Sequence, residues 1–127
     1  MAFGGRCLTW FEGRWHEGNT AIMGAADHGT WQGTMVFDGA RSFEGVMPDL
    51  DLHCARFVAS GEVMGLAPPL GAEAVEALIR EGVKRLGGER ALYLRPMMWS
   101  RESSPALIDA LPESTVAAIC ACTAGLR

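Results

Sequence analysis

Residues 71–100, GAEAVEALIREGVKRLGGERALYLRPMMWS, change their hydrophobic period in mid-course, and that change decides the architecture. Val75, Leu78, Ile79, Gly82, Val83 and Leu86 recur at the i, i+3, i+4, i+7 spacing of a one-sided helix. Glu73, Glu76, Arg80, Glu81, Lys84 and Arg85 fall on the opposite, wet side, and Gly87-Gly88 supplies the stop. The next residues, 90–99, alternate instead: Leu92, Leu94 and Pro96 on one side, Tyr93, Arg95 and Met97 on the other, as a strand requires. A helix feeding an alternating strand through a Gly-Gly pair predicts helices layered on a sheet.

The flanking sequence extends the pattern. Residues 7–17, CLTWFEGRWHE, read as a hairpin about Gly13. Residues 18–33 are rich in Gly, Asn, Asp and Thr and read as loops, with a short helical turn over 34–38. A strand entry over 39–46 uses Gly39 and Gly45 for tight backbone geometry. Pro48-Asp49 opens a first helix, with Asp49 or Asp51 placed to cap it. Its expected apolar stripe is Leu52, Ala55, Ala59, Val63 and Leu66, and Pro68-Pro69 ends it. Residues 100–114 read as a loop with one helical turn over 106–110, and 115–123 as a last, wholly apolar strand. The fold class expected is α/β in the α+β sense: two layers, a mostly antiparallel sheet with helices packed on one face.

The chain has 127 residues, 49% hydrophobic and 20% charged, which suits one domain with its own core and argues against disorder. A net charge of −4 leaves no basic footprint for nucleic acid and no polybasic anchor for membrane. No apolar run reaches the roughly 20 residues of a bilayer span, and Met1 to Trp10 lacks the pattern of a signal peptide. The expectation is a cytoplasmic protein without nucleic-acid or membrane partners. Cys7, Cys54, Cys120 and Cys122 read as buried, reduced, inert thiols. Cys120 and Cys122 would share a strand face, yet His16, His28 and His53 offer them no metal-ligand spacing, so no metal is expected.

Three segments carry chemistry. His53-Cys54-Ala55-Arg56 places an arginine fork one turn after a histidine, a geometry suited to phosphate, although a solvated helix arginine has the same periodicity. Tyr93-Leu94-Arg95-Pro96 puts a phenol and a cation on the side of a strand away from the core, where a wet Tyr-Arg pair or a carboxylate-binding cleft floor would both fit. Ser42-Phe43-Glu44-Gly45 is a short strand segment whose phenylalanine, taken alone, is core. Lys84, the sole lysine of the chain, lies on the charged side of its helix as a solvated amine. No phosphate loop, HExxH motif or nucleophile elbow offers another active site.

In order and spacing, over roughly residues 10–99, these segments resemble the N-terminal domain of fold-type IV, or class IV, pyridoxal-phosphate-dependent aminotransferases, especially the branched-chain amino acid type. The resemblance implies that residues 1–127 are the N-terminal small domain, with the C-terminal domain that bears the cofactor-holding lysine absent. It implies cofactor binding by Arg56 through the phosphate of pyridoxal 5′-phosphate, and substrate binding by Phe43, Tyr93 and Arg95. It implies no catalytic residue in this chain, amino acid and 2-oxo acid substrates, and a homodimer. Two departures bear on substrate and stereochemistry: only residues 46–52 separate FEG from the H-x-x-R helix, and Asp38-Gly39 stands where the family often has Tyr-Gly. Within the fold, an aminodeoxychorismate lyase or a D-amino acid aminotransferase shares most of these features. From another class, a non-catalytic dimerisation or binding module would use residues 97–99 and 115–123 as its interface. The ending Ala124-Gly125-Leu126-Arg127 carries no terminating signal, as a truncated or frame-shifted chain would.

Overall fold

Two long strands, β5 (Leu92–Ser100) and β6 (Thr115–Thr123), pair antiparallel along their whole length, Leu92 opposite Thr123 and Ser100 opposite Thr115. They form the centre of a computed structural model that describes residues 5–106 and 108–123. On the far edge of β6 lies β1 (Cys7–Phe11), and beyond it β2 (Arg14–Glu17), joined to β1 by the expected hairpin. Both central residues of that hairpin, Glu12 and Gly13, have positive φ, the turn whose twist matches two paired strands. The free edge of β5 takes two short strands in succession, β3 (Met35–Phe37) and β4 (Ala40–Ser42), with Asp38-Gly39 interrupting them. The sheet order is β2-β1-β6-β5-β3, with β4 beside β3 on β5.

Two helices, α2 (Leu50–Val63) and α3 (Ala72–Leu86), lie side by side on one face of this sheet. The core between the layers takes Leu92, Leu94 and Met98 from β5, Ala117, Ile119 and Ala121 from β6, and Val75, Ile79, Val83 and Leu86 from α3. The two-layer α+β arrangement with an antiparallel sheet is therefore as expected, and so is the buried face of α3. Gly82 on that face is a close-approach glycine: a Cβ there would come within 2.6 Å of the Trp15 ring.

The inward side of α2 differs from its expected stripe. Leu50, Cys54, Phe57 and Gly61 are buried, whereas Leu52 is 62% and Val63 89% exposed. Apolar residues surround this helix, so periodicity does not single out a face. The aromatic Phe57 wins the inward position, and Gly61 admits the Met98 side chain that a Cβ would block. Asp49 stands at the N-cap position but makes no side-chain cap bond.

Further differences have local causes. Residues 34–38, expected as a helical turn, carry β3, while the helical turn is α1 (His28–Gln32), inside the segment read as loops. α1 is held by tertiary contacts: Asp27 accepts the Trp99 indole N–H at 3.0 Å, and Gly29 lies so close to Trp99 that a Cβ would collide with it. Among the described residues of 106–110 there is no helical turn, and the bridge Ser103↔Ala110 closes the segment. Met98 and Trp99 have no exposed surface and most of β6 is buried, so of the surface expected over 97–99 and 115–123 only Met97, Val116 and Cys120 are part-exposed. The ending 124–127 lies outside the described residues. Among the described residues no helix is long and apolar enough to cross a membrane.

The cysteines also depart from expectation. Cys7 and Cys122, 115 residues apart in sequence, face each other across β1 and β6 and form a disulfide. Register alone brings them together, and sequence spacing holds no trace of it. Cys54 is a free thiol, pushed up to about 11 by burial, with the Glu76 and Asp38 charges adding to it, so it is protonated and inert at neutral pH.

The faces of α2 predict opposite outcomes for two alanine substitutions in urea unfolding. Phe57→Ala should cost about 3–5 kcal/mol by opening the core, and Leu52→Ala should stay within roughly 0.5 kcal/mol.

Candidate functional site

Alternation along β5 sends Tyr93, Arg95 and Met97 to the sheet face opposite the helices, where all three are half-buried. Register supplies their neighbours: Arg41 of β4 lies beside Tyr93, and Phe37 of β3 beside Met97. The Arg95 guanidinium stacks 3.8 Å above the Phe37 ring centroid, within cation–π range. Its Nε is buried without a hydrogen-bond partner among the described residues. Gly39 packs against the Tyr93 phenol so closely that a Cβ there would be 2.8 Å from the hydroxyl oxygen.

Between those two residues, Asp38 turns to the other side of the sheet edge, toward α2. Its backbone N–H donates to the Pro96 carbonyl at 3.2 Å, and its side chain is only 4% exposed. A carboxylate buried so far needs donors, and α2 supplies them one turn apart. Arg56 binds it with both prongs, Nε to Oδ2 at 2.7 Å and Nη2 to Oδ1 at 2.9 Å, while His53 Nδ1 approaches Oδ1 at 2.8 Å. The Gly39 N–H donates a fourth bond at 2.9 Å. Burial by itself pushes the Asp38 carboxyl up, but the hydrogen bonds from Arg56 and His53 and the Arg56 charge outweigh it, so the group sits below its usual range. Arg56 itself is 67% exposed, and its Nη1 carries no hydrogen bond among the described residues.

The tripeptide Phe37-Asp38-Gly39 thus ties the separate candidate segments together: its ring lies under Arg95, its carboxylate orients Arg56 and His53, and its glycine admits Tyr93. Sequence reasoning missed Phe37 and the role of Asp38. The pattern Phe-acid-Gly occurs three times in the chain, at 11–13, 37–39 and 43–45. In the first and third the acid and the glycine both have positive φ, and each forms a hairpin tip; the middle one has neither. Phe43 sits at such a tip, its N–H donating to the Val46 carbonyl at 2.8 Å and its ring facing Arg41, so it is not the ring that stacks on Arg95. Lys84 is exposed on α3, on the outer helical layer.

A sequence model described as amino-transferase class IV matches residues 35–124, from the start of β3 past the end of β6. A probable branched-chain-amino-acid aminotransferase of Rickettsia bellii is 29% identical over 104 residues, 79% of this chain and 34% of that protein. The crystal structure of a Brucella abortus aminotransferase bound to the cofactor PLP superposes with a TM-score of 0.88 at 46% identity, covering 91% of this chain and 41% of that one. The T.th. branched-chain amino acid aminotransferase complexed with N-(5′-phosphopyridoxyl)-L-glutamate gives 0.79 at 28% identity, over 92% and 40%. The chain therefore spans between a third and about two-fifths of the length of these relatives.

Asp38→Asn should lower stability at pH 7 by roughly 1–3 kcal/mol, because it removes the charge that the Arg56 and His53 donors are arranged around. The folded carboxyl titrates below its ordinary value, so its contribution is complete above about pH 4 and is lost as pH falls through the folded value. Urea unfolding at pH 7 and pH 3 checks this: the gap between wild type and variant should narrow in acid.

Proposed function

As the chain belongs to the class IV aminotransferase family, whose model covers residues 35–124, we propose that residues 1–127 are the N-terminal small domain of a pyridoxal-phosphate-dependent aminotransferase. The whole enzyme moves an amino group between a branched-chain-type amino acid and a 2-oxo acid, and works as a cytoplasmic homodimer. The lysine-bearing domain is contributed by a further segment. The observation that carries this reading is the Phe37-Asp38-Gly39 crossover, which sets a phosphate-suited arginine on one side and a phenol and second arginine on the other. The likeness to the Brucella abortus and T.th. enzymes supports it.

The donor set suits one end of the cofactor. Arg56 is held by Asp38 through Nε and Nη2, so its fork is fixed in direction while Nη1 stays open to a phosphate oxygen. The nearby Asp38 carboxylate offsets part of that positive charge, which makes Arg56 an orienting contact more than a sole anchor. The exposed Lys84 is not placed to hold the carbonyl end. When bound, pyridoxal phosphate supplies the carbonyl that takes up the amino group and the conjugated ring that stores the released electrons.

On the substrate side, Arg95 offers a guanidinium whose Nε lacks a partner among the described residues, suited to the carboxylate that amino acids and 2-oxo acids share. The Phe37 ring beneath it restricts its swing and adds apolar surface for an aliphatic side chain. Tyr93 completes this wall against Gly39, and Phe43 at its hairpin tip borders it through Arg41. These residues bind and orient; none of them moves a proton in the transfer.

The test is to read the genomic DNA on both sides of this coding segment and express the longest continuous chain. Assays of amino transfer from leucine, isoleucine or valine to 2-oxoglutarate should give activity in a chain that includes a lysine-bearing segment, and none with residues 1–127 alone. In the active form, Arg56→Ala should weaken pyridoxal phosphate binding roughly tenfold or more. A longer chain without any amino transfer, or an Arg56→Ala variant with unchanged cofactor affinity, would overturn the assignment.

A further inference from the structure

The sheet face away from the helices carries three cysteines that the proposed amino transfer does not use. Cys7 stands opposite Cys122, and Cys120 stands between Thr9 on β1 and Arg95 on β5. Because strand side chains alternate, all three sulfurs emerge on one face. They lie within 4.8 Å of one another, and Cys120 Sγ is 3.3 Å from Cys122 Sγ. Cys7 and Cys122 are buried and joined as a disulfide, while half-buried Cys120 gives the cluster an opening.

We propose that in the reduced chain Cys7, Cys120 and Cys122 form a three-thiolate site for a soft d10 cation. Three observations converge on it. The ligands are all thiolates, which select soft metals over hard ones. Their spread matches the need: sulfurs bound at about 2.3 Å to one ion stand about 3.8–4.0 Å apart, so the present cluster needs side-chain adjustment and no strand movement once the disulfide opens. Three thiolates also leave excess negative charge on a half-buried surface, which requires a counter-charge. Arg95, cross-strand to Cys120, provides it through its positive charge, which already favours the Cys120 thiolate.

Cys120 is not a spontaneously reactive thiolate. Burial pushes its thiol up, against the smaller pull of the Thr9 hydroxyl and the Arg95 charge, so the cation must displace its proton. Opening the site consumes two electrons. With a phosphine as reductant the S–S bond breaks, phosphorus is oxidised to phosphine oxide with oxygen from water, and two protons complete the Cys7 and Cys122 thiols. Binding then releases three thiol protons to solvent. The open side at Cys120 leaves room for a water as a fourth ligand of a tetrahedral ion.

The experiment uses the 127-residue chain, reduced with tris(2-carboxyethyl)phosphine, freed of reductant anaerobically and titrated with Cd(II). The ultraviolet sulfur-to-cadmium charge-transfer band reports the number of thiolates bound. Expected are one equivalent per chain, the same in Cys54→Ser, and no band in the oxidised chain. Cys120→Ser should lose about a third of the band and bind at least roughly tenfold more weakly. Cys120→Ala serves if the serine variant does not fold, with far-ultraviolet circular dichroism as the check. A reduced, folded chain without the band would overturn the site. So would a Cys120 variant that keeps full intensity and affinity, or loss of binding in Cys54→Ser.

Discussion

A carboxylate buried at the edge of a sheet has to be surrounded by donors, and Asp38 is the point at which this structure meets that demand. Left alone there, its charge would cost several kcal/mol. The Gly39 N–H and the His53 and Arg56 side chains satisfy it, and in doing so they fasten the β3–β4 edge to α2. The same contacts fix the direction of the Arg56 fork. One polar cluster therefore sets both the docking of a helix and the orientation of the candidate phosphate ligand.

The sheet keeps its two faces chemically distinct. On the helical side β5 and β6 contribute leucine, isoleucine, methionine and alanine to a continuous core. On the other side the same strands present Tyr93, Arg95, Cys120 and Cys122, and an apolar cluster of Phe11, Ile22, Met23 and Met35 packs at the end near Trp99. Two paired nine-residue strands hold these polar and sulfur-bearing side chains in place.

The three Phe-acid-Gly tripeptides show how context decides the meaning of a short motif. Where the chain must reverse between two adjacent strands, the acid and glycine take positive φ and the phenylalanine marks the end of the ladder. Where β3 and β4 continue along one partner, the same three residue types stay at negative φ and serve three contacts. Nothing in the tripeptide itself distinguishes these cases. Partner strands do.

By itself the sequence determined α3, the central strands β5 and β6, the first hairpin and the layered class of fold. Those features rest on local periodicity and on residue type, which a chain carries wherever it folds. Tertiary structure alone decided which face of α2 turns inward, since its apolar residues lie all round and only packing on the sheet, where Gly61 admits Met98, buries Phe57. It alone brought Phe37 under Arg95, paired Asp38 with residues 15 and 18 positions later, and joined Cys7 to Cys122 across 115 residues. Strand register and burial create those contacts, and neither exists until separate segments of the chain lie side by side.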